Sequence, residues 1–423
     1  MITVGKPSQS HYIIPIFVPH MGCPHHCVFC NQTSITGIRP KIPLGSIIQI
    51  ISEIPEKVAL HYSKYFFDNS KVRSTTNSKL AFRAPKLNLR RFGFTKNGYR
   101  KNLDSRSELL FPFFQGSLNH PKKRKSCRRE VAFYGGSFTG MEREVQVQLL
   151  SAVQPLIRRG LIDGVRVSTR PDNVNPQTLD LLKEYGVLTV ELGVQSMVEE
   201  VLRCSRRGHT AEDVLKAVKL LREHGFEVGV QIMVGLPGDD AGATGQTVDR
   251  VIRLTPHFVR IYPTLVLKGT LLEKWYCSGR YTPLSLEDAV ALCKRSFLKF
   301  YRAGIPVIRL GLQSSPELEM KGSVVAGPYH PAFGHLVESS LFYEMASLLL
   351  EKSPEARTLR LTVSPSDVSN IRGQKNRNLY QLKERFGLTA IQIEADMEQP
   401  RGSLIVMNGK RLDRISYQTL PFS

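Results

Sequence analysis

Gly22-Cys23-Pro24-His25-His26-Cys27-Val28-Phe29-Cys30-Asn31 follows an apolar, β-branched run, Tyr12 to Val18, whose pattern predicts a strand. A loop this short can aim three thiolates at one point. That suits three corners of an iron–sulfur cube and leaves the fourth iron without a protein ligand. The same residues admit two other readings: a Cys3His zinc site completed by His25 or His26, and a disulfide with one spare thiol. The rest of the chain has to decide among them.

An iron with free coordination positions can chelate the amino and carboxylate groups of S-adenosylmethionine. An electron passed through the cluster can then split the sulfonium to a 5′-deoxyadenosyl radical. The C-x3-C-x2-C spacing, with aromatic Phe29 before the last cysteine, resembles the signature of the radical S-adenosylmethionine (radical SAM) superfamily.

The 423 residues, 41 % hydrophobic, suffice for one large core and a small appendage. No apolar run approaches the roughly 18 residues of a membrane span, and the first residues lack a signal-peptide pattern, so a cytoplasmic protein with no membrane partner is expected. Seven cysteines, an odd number with three clustered, do not form a disulfide framework and fit a reducing compartment. The net charge is +21, but it is unevenly spread. Between Ser63 and Arg129 stand eighteen Lys/Arg and three Asp/Glu, so this segment alone supplies +15.

Outside that segment, β-branched runs alternate with amphipathic stretches, the pattern of repeated βα units around a parallel sheet. Strands are predicted at Tyr12–Val18, Glu130–Tyr134, Val165–Ser168, Leu188–Leu192, Glu227–Met233 and Val259–Pro263. Helices are predicted at Gly45–Tyr62, Glu142–Arg158, Pro176–Tyr185, Ala211–His224, Thr247–Leu254 and Leu286–Tyr301. The expected fold is α/β, a partial (β/α)6 TIM-like barrel with functional loops at the carboxyl ends of its strands. The core should comprise residues 1–62 and 130–315. Residues 63–129 form a basic insertion whose Lys/Arg clusters interleave with aromatics; it either contacts RNA or is unstructured with solvated charges. Residues 316–423 should form a small C-terminal α+β unit, with a helix at His335–Glu351, a strand at Thr358–Val363, a helix over Ser366–Phe386, and strands at Thr389–Glu394 and Ser403–Val406. Its Ile371-Arg372-Gly373-Gln374-Lys375-Asn376 run faintly resembles a helix–G-x-x-G–helix RNA clamp without the second glycine.

Each predicted strand end carries a candidate cofactor group. Gly135, Gly136 and Ser137 form a turn where a ligand can approach the backbone and bond its amino group to main-chain oxygen. Ser168 can bond a ribose, and Arg170 can fork onto a carboxylate, the competing reading being an Arg170–Asp172 pair. Gln195 is placed to bond adenosine hydroxyls. Arg207 can hold a carboxylate or phosphate and His209 can orient it or move a proton, in a loop that Thr210 would close as a helix cap. Gly235, Leu236 and Pro237 make an apolar turn suited to adenine, and Tyr262 lines the substrate space or packs. His330 is a further acid–base candidate, more commonly a structural group in such a loop.

The blocks Val190-Glu191-Leu192-Gly193-Val194-Gln195-Ser196, Arg207-Gly208-His209-Thr210, Gly235-Leu236-Pro237-Gly238 and Ile261-Tyr262-Pro263-Thr264-Leu265-Val266, then Gly269-Thr270, are similar in order and context to the Elongator subunit 3-like branch of that superfamily. The resemblance covers roughly Ile13 to Leu312. It implies a [4Fe–4S] cluster on Cys23, Cys27 and Cys30, S-adenosylmethionine in the barrel mouth, an external one-electron donor of flavodoxin or ferredoxin type, and a transfer-RNA nucleoside as the lead for substrate. Two departures stand out. The cysteine spacing is the compact form of the wider superfamily, and the last 110 or so residues show no Gly-rich acetyl-coenzyme A loop, as in the shorter bacterial members. Oxygen-independent coproporphyrinogen oxidases share the compact spacing and similar glycine blocks, with Tyr where Phe29 stands. A zinc- or cluster-stabilised RNA-binding module without catalysis is the reading from another class.

Overall fold

The computed structural model describes residues 11–18, 20–23, 27–31, 43–54, 128–313, 316–352, 357–408 and 411–421. The expected basic insertion lies, as far as residue 127, outside the described residues, and so do Pro24, His25 and His26.

Seven parallel strands form one sheet: β1 (His11–Phe17), β2 (Arg128–Tyr134), β3 (Gly164–Thr169), β4 (Val187–Gln195), β5 (Glu227–Val234), β6 (Phe258–Pro263) and β8 (Val307–Leu310). Their order is β1-β2-β3-β4-β5-β6-β8, curled into a partial barrel open between β1 and β8. The six predicted strands are present. The seventh, β8, is an addition: a run of four residues is too short to show a strand period. The short β7 (Val266–Leu267) and β9 (Val324–Ala326) pair antiparallel with each other.

Side chains alternate across each strand, so the two faces of the sheet are chemically distinct. Val131, Phe133, Val165, Val167, Val190, Leu192, Val228, Val230, Val259 and Ile261 face one way and are buried in the main core. That core is completed by α1 (Leu44–Ser52), α2 (Arg143–Arg158), α3 (Pro176–Glu184), α5 (Ala211–Glu223), α6 (Ala241–Arg253) and α8 (Leu286–Arg302), through residues such as Ile47, Leu149, Leu179, Val218, Val248 and Phe300. The alternate positions, among them Glu130, Tyr134, Arg166, Glu191, Gln231 and Arg260, point into the barrel. Two short helices, α4 (Glu199–Cys204) and α7 (Leu271–Cys277), follow β4 and β7. The sixth helix starts at Ala241, earlier than Thr247, because the Asp240 side chain caps it by accepting from Ala243 N.

The C-terminal unit follows α9 (Pro316–Glu319). α10 (Phe333–Glu351) spans both parts of the molecule: Phe333 and Val337 enter the main core, while Leu341, Phe342, Met345 and Leu349 enter a second one. That second core lies against a four-stranded sheet of β10 (Thr358–Val363), β11 (Ala390–Ala395), β12 (Ser403–Asn408) and β13 (Arg411–Ser416), ordered β11-β10-β12-β13. The single helix expected over Ser366–Phe386 is broken into α11 (Val368–Arg372) and α12 (Arg377–Phe386). Between them Gly373, Lys375 and Asn376 all have φ between 52° and 70°, and a Cβ on Gly373 would lie 2.8 Å from Asn378 Cγ. β13 was not foreseen, since Arg411, Asp413 and Arg414 mask its period.

Candidate active site

The cysteine loop is fixed at both ends. Its first half lies on the turn after β2. Val18 N donates to Tyr134 O (2.7 Å), His20 N to Gly135 O (3.0 Å) and Ser137 N to Met21 O (2.9 Å). Two glycines permit this approach: a Cβ on Gly136 would sit 2.3 Å from Met21 O, and one on Gly22 (φ 69°) 2.2 Å from Ser137 O. Its second half hangs on Val28, fully buried among Val266, Leu272 and Tyr281. Val28 N donates to Ser205 O (3.2 Å) and accepts at its carbonyl from Leu272 N (2.8 Å).

Two arginines stand behind the thiols. Arg207, 6 % exposed, directs Nη1 at Cys27 Sγ (3.1 Å) and Nη2 at Gly193 O (2.6 Å). Arg170 places Nη1 3.9 Å from the same sulfur, bonds the Arg207 carbonyl, and is paired with Asp172 at 2.9–3.0 Å. The pair and the approach to the loop thus coexist. Burial pushes the Cys23 thiol up, and Cys27 adds to this, while Arg170 and Arg207 pull it down. Arg207 and His209 are held in place by the first turn of α5, where Thr210 Oγ1 accepts from Asp213 N (3.2 Å) and Asp213 Oδ2 accepts from Thr210 N (2.8 Å), a capping box.

Cys23, Phe29, Cys30, Gly135, Gly136, Ser168, Arg170, Gln195, Arg207 and Tyr262 line one cavity of about 400 Å³ in the barrel mouth. Gln195 has a strained φ of 67°, at a register irregularity in β4, and its Oε1 is buried without a partner. The remaining candidates lie elsewhere. Ser137 is buried under the turn, bonded to Thr169 Oγ1 (2.9 Å) and Asn173 Nδ2 (2.6 Å). His209, 3 % exposed, bonds Val194 O at 3.2 Å, and burial together with Arg207 and Arg170 drives its pKa down to about 3. It is neutral at physiological pH. Gly235, Leu236 and Pro237 line a neighbouring cavity with Trp275, Arg206 and Arg280. His330 accepts from Ala332 N (3.1 Å) at the entry to α10.

The deeper wall was missed in the sequence. Glu191, fully buried, accepts from Arg166 Nη1 (2.9 Å), Gln231 Nε2 (2.8 Å) and Tyr134 OH (3.0 Å), and its Oε2 lies 2.9 Å from Arg260 Nε. Against the cost of burial, Arg260 and Arg166 hold the Glu191 carboxyl at about 2. Arg166 also pairs with buried Glu130 at 2.6 Å. Gly229 is what makes room: a Cβ there would lie 2.3 Å from the Phe258 ring, over which the Arg166 guanidinium sits at 4.9 Å. Inward polar positions on five adjacent strands were the available signal.

Among the described residues, no three His, Cys, Asp or Glu side chains are gathered to hold a metal ion. A cube-type cluster makes a different demand, since each thiolate binds its own iron. Three thiols backed by two guanidiniums are a donor set suited to such a group, because its thiolate-bound form carries net negative charge.

The Radical SAM superfamily model matches residues 120–251, and the Radical_SAM C-terminal domain model matches 256–343. A tRNA uridine(34) acetyltransferase of Dehalococcoides mccartyi is 38% identical over 123 residues, 28% of this chain and 27% of that protein. Protein YhcC of Escherichia coli is 33% identical over 166 residues, 38% of this chain and 53% of that one. Human Elongator complex protein 3 is 36% identical over 137 residues, 31% of this chain and 25% of that protein. The chain thus spans between about a quarter and a half of the length of these relatives. Among solved structures, archaeal Elp3 of Methanocaldococcus infernus with an N-terminal deletion aligns with 25% identity and a TM-score of 0.40, covering 53% of this chain and 54% of that one. With two consecutive family models matching across its barrel and the start of its C-terminal unit, the chain belongs to the radical SAM superfamily.

Proposed function

We propose that this chain is a radical SAM enzyme that holds a [4Fe–4S] cluster on Cys23, Cys27 and Cys30, binds S-adenosylmethionine beside Gly135 and Gly136, and takes a hydrogen atom from a substrate in the barrel. The observation that carries the reading is the locking of the cysteine loop against the Gly135-Gly136 turn at the mouth of a cavity that also holds Arg207 and Gln195. When bound, the two groups supply an electron and a 5′-deoxyadenosyl radical.

The chain's own residues bind, orient and exclude water. Arg207 and Arg170 offset the negative charge of the thiolates, and the Arg207 fork is the group for the methionyl carboxylate. The main chain of the Gly135-Gly136 turn, on the cavity wall, is the group for the amino group. Ser168 and the unpartnered Gln195 oxygen are the groups for the nucleoside hydroxyls. Ser137 acts through the turn it secures. His209 is a positioning residue: neutral and bonded to Val194 O, it braces the Arg207 loop. Gly235, Leu236 and Pro237 line the neighbouring cavity, and Tyr262 borders the space for substrate. Apolar Phe17, Met233, Leu265 and Leu267 in the cavity wall keep water from quenching a radical.

The similarity to tRNA uridine(34) acetyltransferases and Elongator complex protein 3 supports a transfer-RNA nucleoside as the hydrogen donor. A reductase of flavodoxin or ferredoxin type is the electron source such chemistry needs. The described residues contain no helix long and apolar enough to cross a membrane. The test is anaerobic reconstitution of the full chain with iron and sulfide, followed by dithionite and S-adenosylmethionine. Formation of 5′-deoxyadenosine is expected. A well-loaded chain that yields none contradicts the proposal and favours a non-catalytic binding module.

A further inference from the structure

Arg309 is a cation of the cavity that, among the described residues, has no carboxylate paired with it. It stands on β8, the sheet edge opposite the strand that carries the cysteine loop, and lines the cavity together with Arg260, Tyr262 and Gln313. In the β6–β8 ladder Arg309 is the register partner of Arg260, so two guanidinium side chains start side by side on one face of the sheet. Like charges placed so are unfavourable. The carboxylate beside Arg260, Glu191, is already shared between Arg166 and Arg260 at 2.9 Å each. Arg309 Nε donates to Gly311 O at 3.2 Å, which orients the planar fork, and no carboxylate among the described residues pairs with it. Burial holds the Arg309 pKa below its ordinary value, with Tyr262 opposing and Arg260 reinforcing the shift. A partly buried cation kept beside a second one costs stability unless something negative joins it.

We propose that Arg309 anchors an oxyanion group of the substrate, a phosphate or a carboxylate, at the β8 side of the cavity. Calling the ligand a substrate rests on the function proposed above; the anion site itself does not. A planar fork with free Nη groups accepts either oxyanion in bidentate fashion, and Arg260 alongside adds its field. An anion seated there would fix one end of the substrate against β8, and a fixed position is what selective hydrogen abstraction requires.

The test uses the full chain without cluster, titrated calorimetrically with pyrophosphate in one arm and succinate in the other, at about 150 mM salt to screen the surface. The wild type should bind one of the two, and the arm that binds identifies the oxyanion. Arg309→Gln should weaken that binding about tenfold. Arg280→Gln removes an exposed charge outside this cavity and should leave it unchanged. Should Arg309→Gln fail to fold, Arg309→Met and a wild-type crystal soaked in the binding anion replace it, with density at the Arg309 fork expected. Binding of neither anion, equal loss in Arg280→Gln, an Arg309 variant within twofold of wild type, or a soaked anion lodged elsewhere would overturn the proposal. Absence of 5′-deoxyadenosine from reconstituted wild type would sink the function and leave this result standing.

Discussion

Replacing Glu191 by Gln keeps the shape of the barrel interior and removes its central negative charge. Arg166 would keep Glu130 at 2.6 Å, but Arg260 would be left with the Tyr134 hydroxyl at 2.9 Å and no carboxylate among its ion pairs. Breaking a buried pair on one side typically costs about 3–5 kcal/mol, because the partner's charge stays desolvated. The carboxyl itself gives a second route to the magnitude. It is held at about 2; at ~1.4 kcal/mol for each pH unit below the unperturbed value of ~4.3, that depression is worth about 3 kcal/mol. The two routes agree, so E191Q should lose about 3 kcal/mol in urea unfolding at pH 7. The sign with pH follows from a folded pKa below the unfolded one. The stabilisation is full above roughly pH 4.3 and is lost as pH falls toward 2, so the wild type should weaken more steeply across that window than E191Q. A loss under about 1 kcal/mol at pH 7, or parallel pH curves, would refute the view that this carboxylate neutralises the barrel interior.

Three further outcomes can be checked on the same chain. His209 sits at about 3, below its unfolded ~6.5, so its share of stability is full above pH 6.5 and declines as pH falls toward 3; His209→Gln should flatten the unfolding profile over that window, and an unchanged slope would contradict a buried neutral imidazole. Gly136→Ala puts a Cβ 2.3 Å from Met21 O and should displace the cysteine loop, cutting the iron retained per chain after reconstitution severalfold; full iron loading would refute the locking of loop and turn. Thr210→Ala removes one arm of the capping box and should cost about 1 kcal/mol in thermal or urea unfolding; no change would mean that the cap does not hold the Arg207 loop.

How far the sequence could be read depended on which face of the sheet spoke. Val190, Leu192, Val228, Val230, Val259 and Ile261 recur every second residue against the helical layer, and they made β4, β5 and β6 legible. The opposite face was not legible. In an isolated strand Arg166, Glu191 and Arg260 look like solvated alternates, and only the curl of the sheet turns them inward, where each must find a partner. The cysteine loop, Gly135-Gly136, Gln195 and Arg207 could be placed because each ends or follows a strand or precedes a cap. Ser137, Thr169 and Asn173 form a bonded cluster beneath the turn that spacing alone does not reveal. β8, four residues long, was too short to stand out. The break at Gly373–Asn376 depends on Asn378 bonding back to Asn370 O (3.1 Å) and Ser339 O (2.9 Å), contacts invisible to a local period.

The central claim is a cluster held by three thiols with one iron open to S-adenosylmethionine. Its most direct test is electron paramagnetic resonance of the anaerobically reconstituted, dithionite-reduced chain, with metal analysis, before and after addition of S-adenosylmethionine. About four irons per chain and a reduced-cluster signal that changes on addition are expected. A single zinc at the cysteines, or a cluster signal indifferent to S-adenosylmethionine, would contradict it.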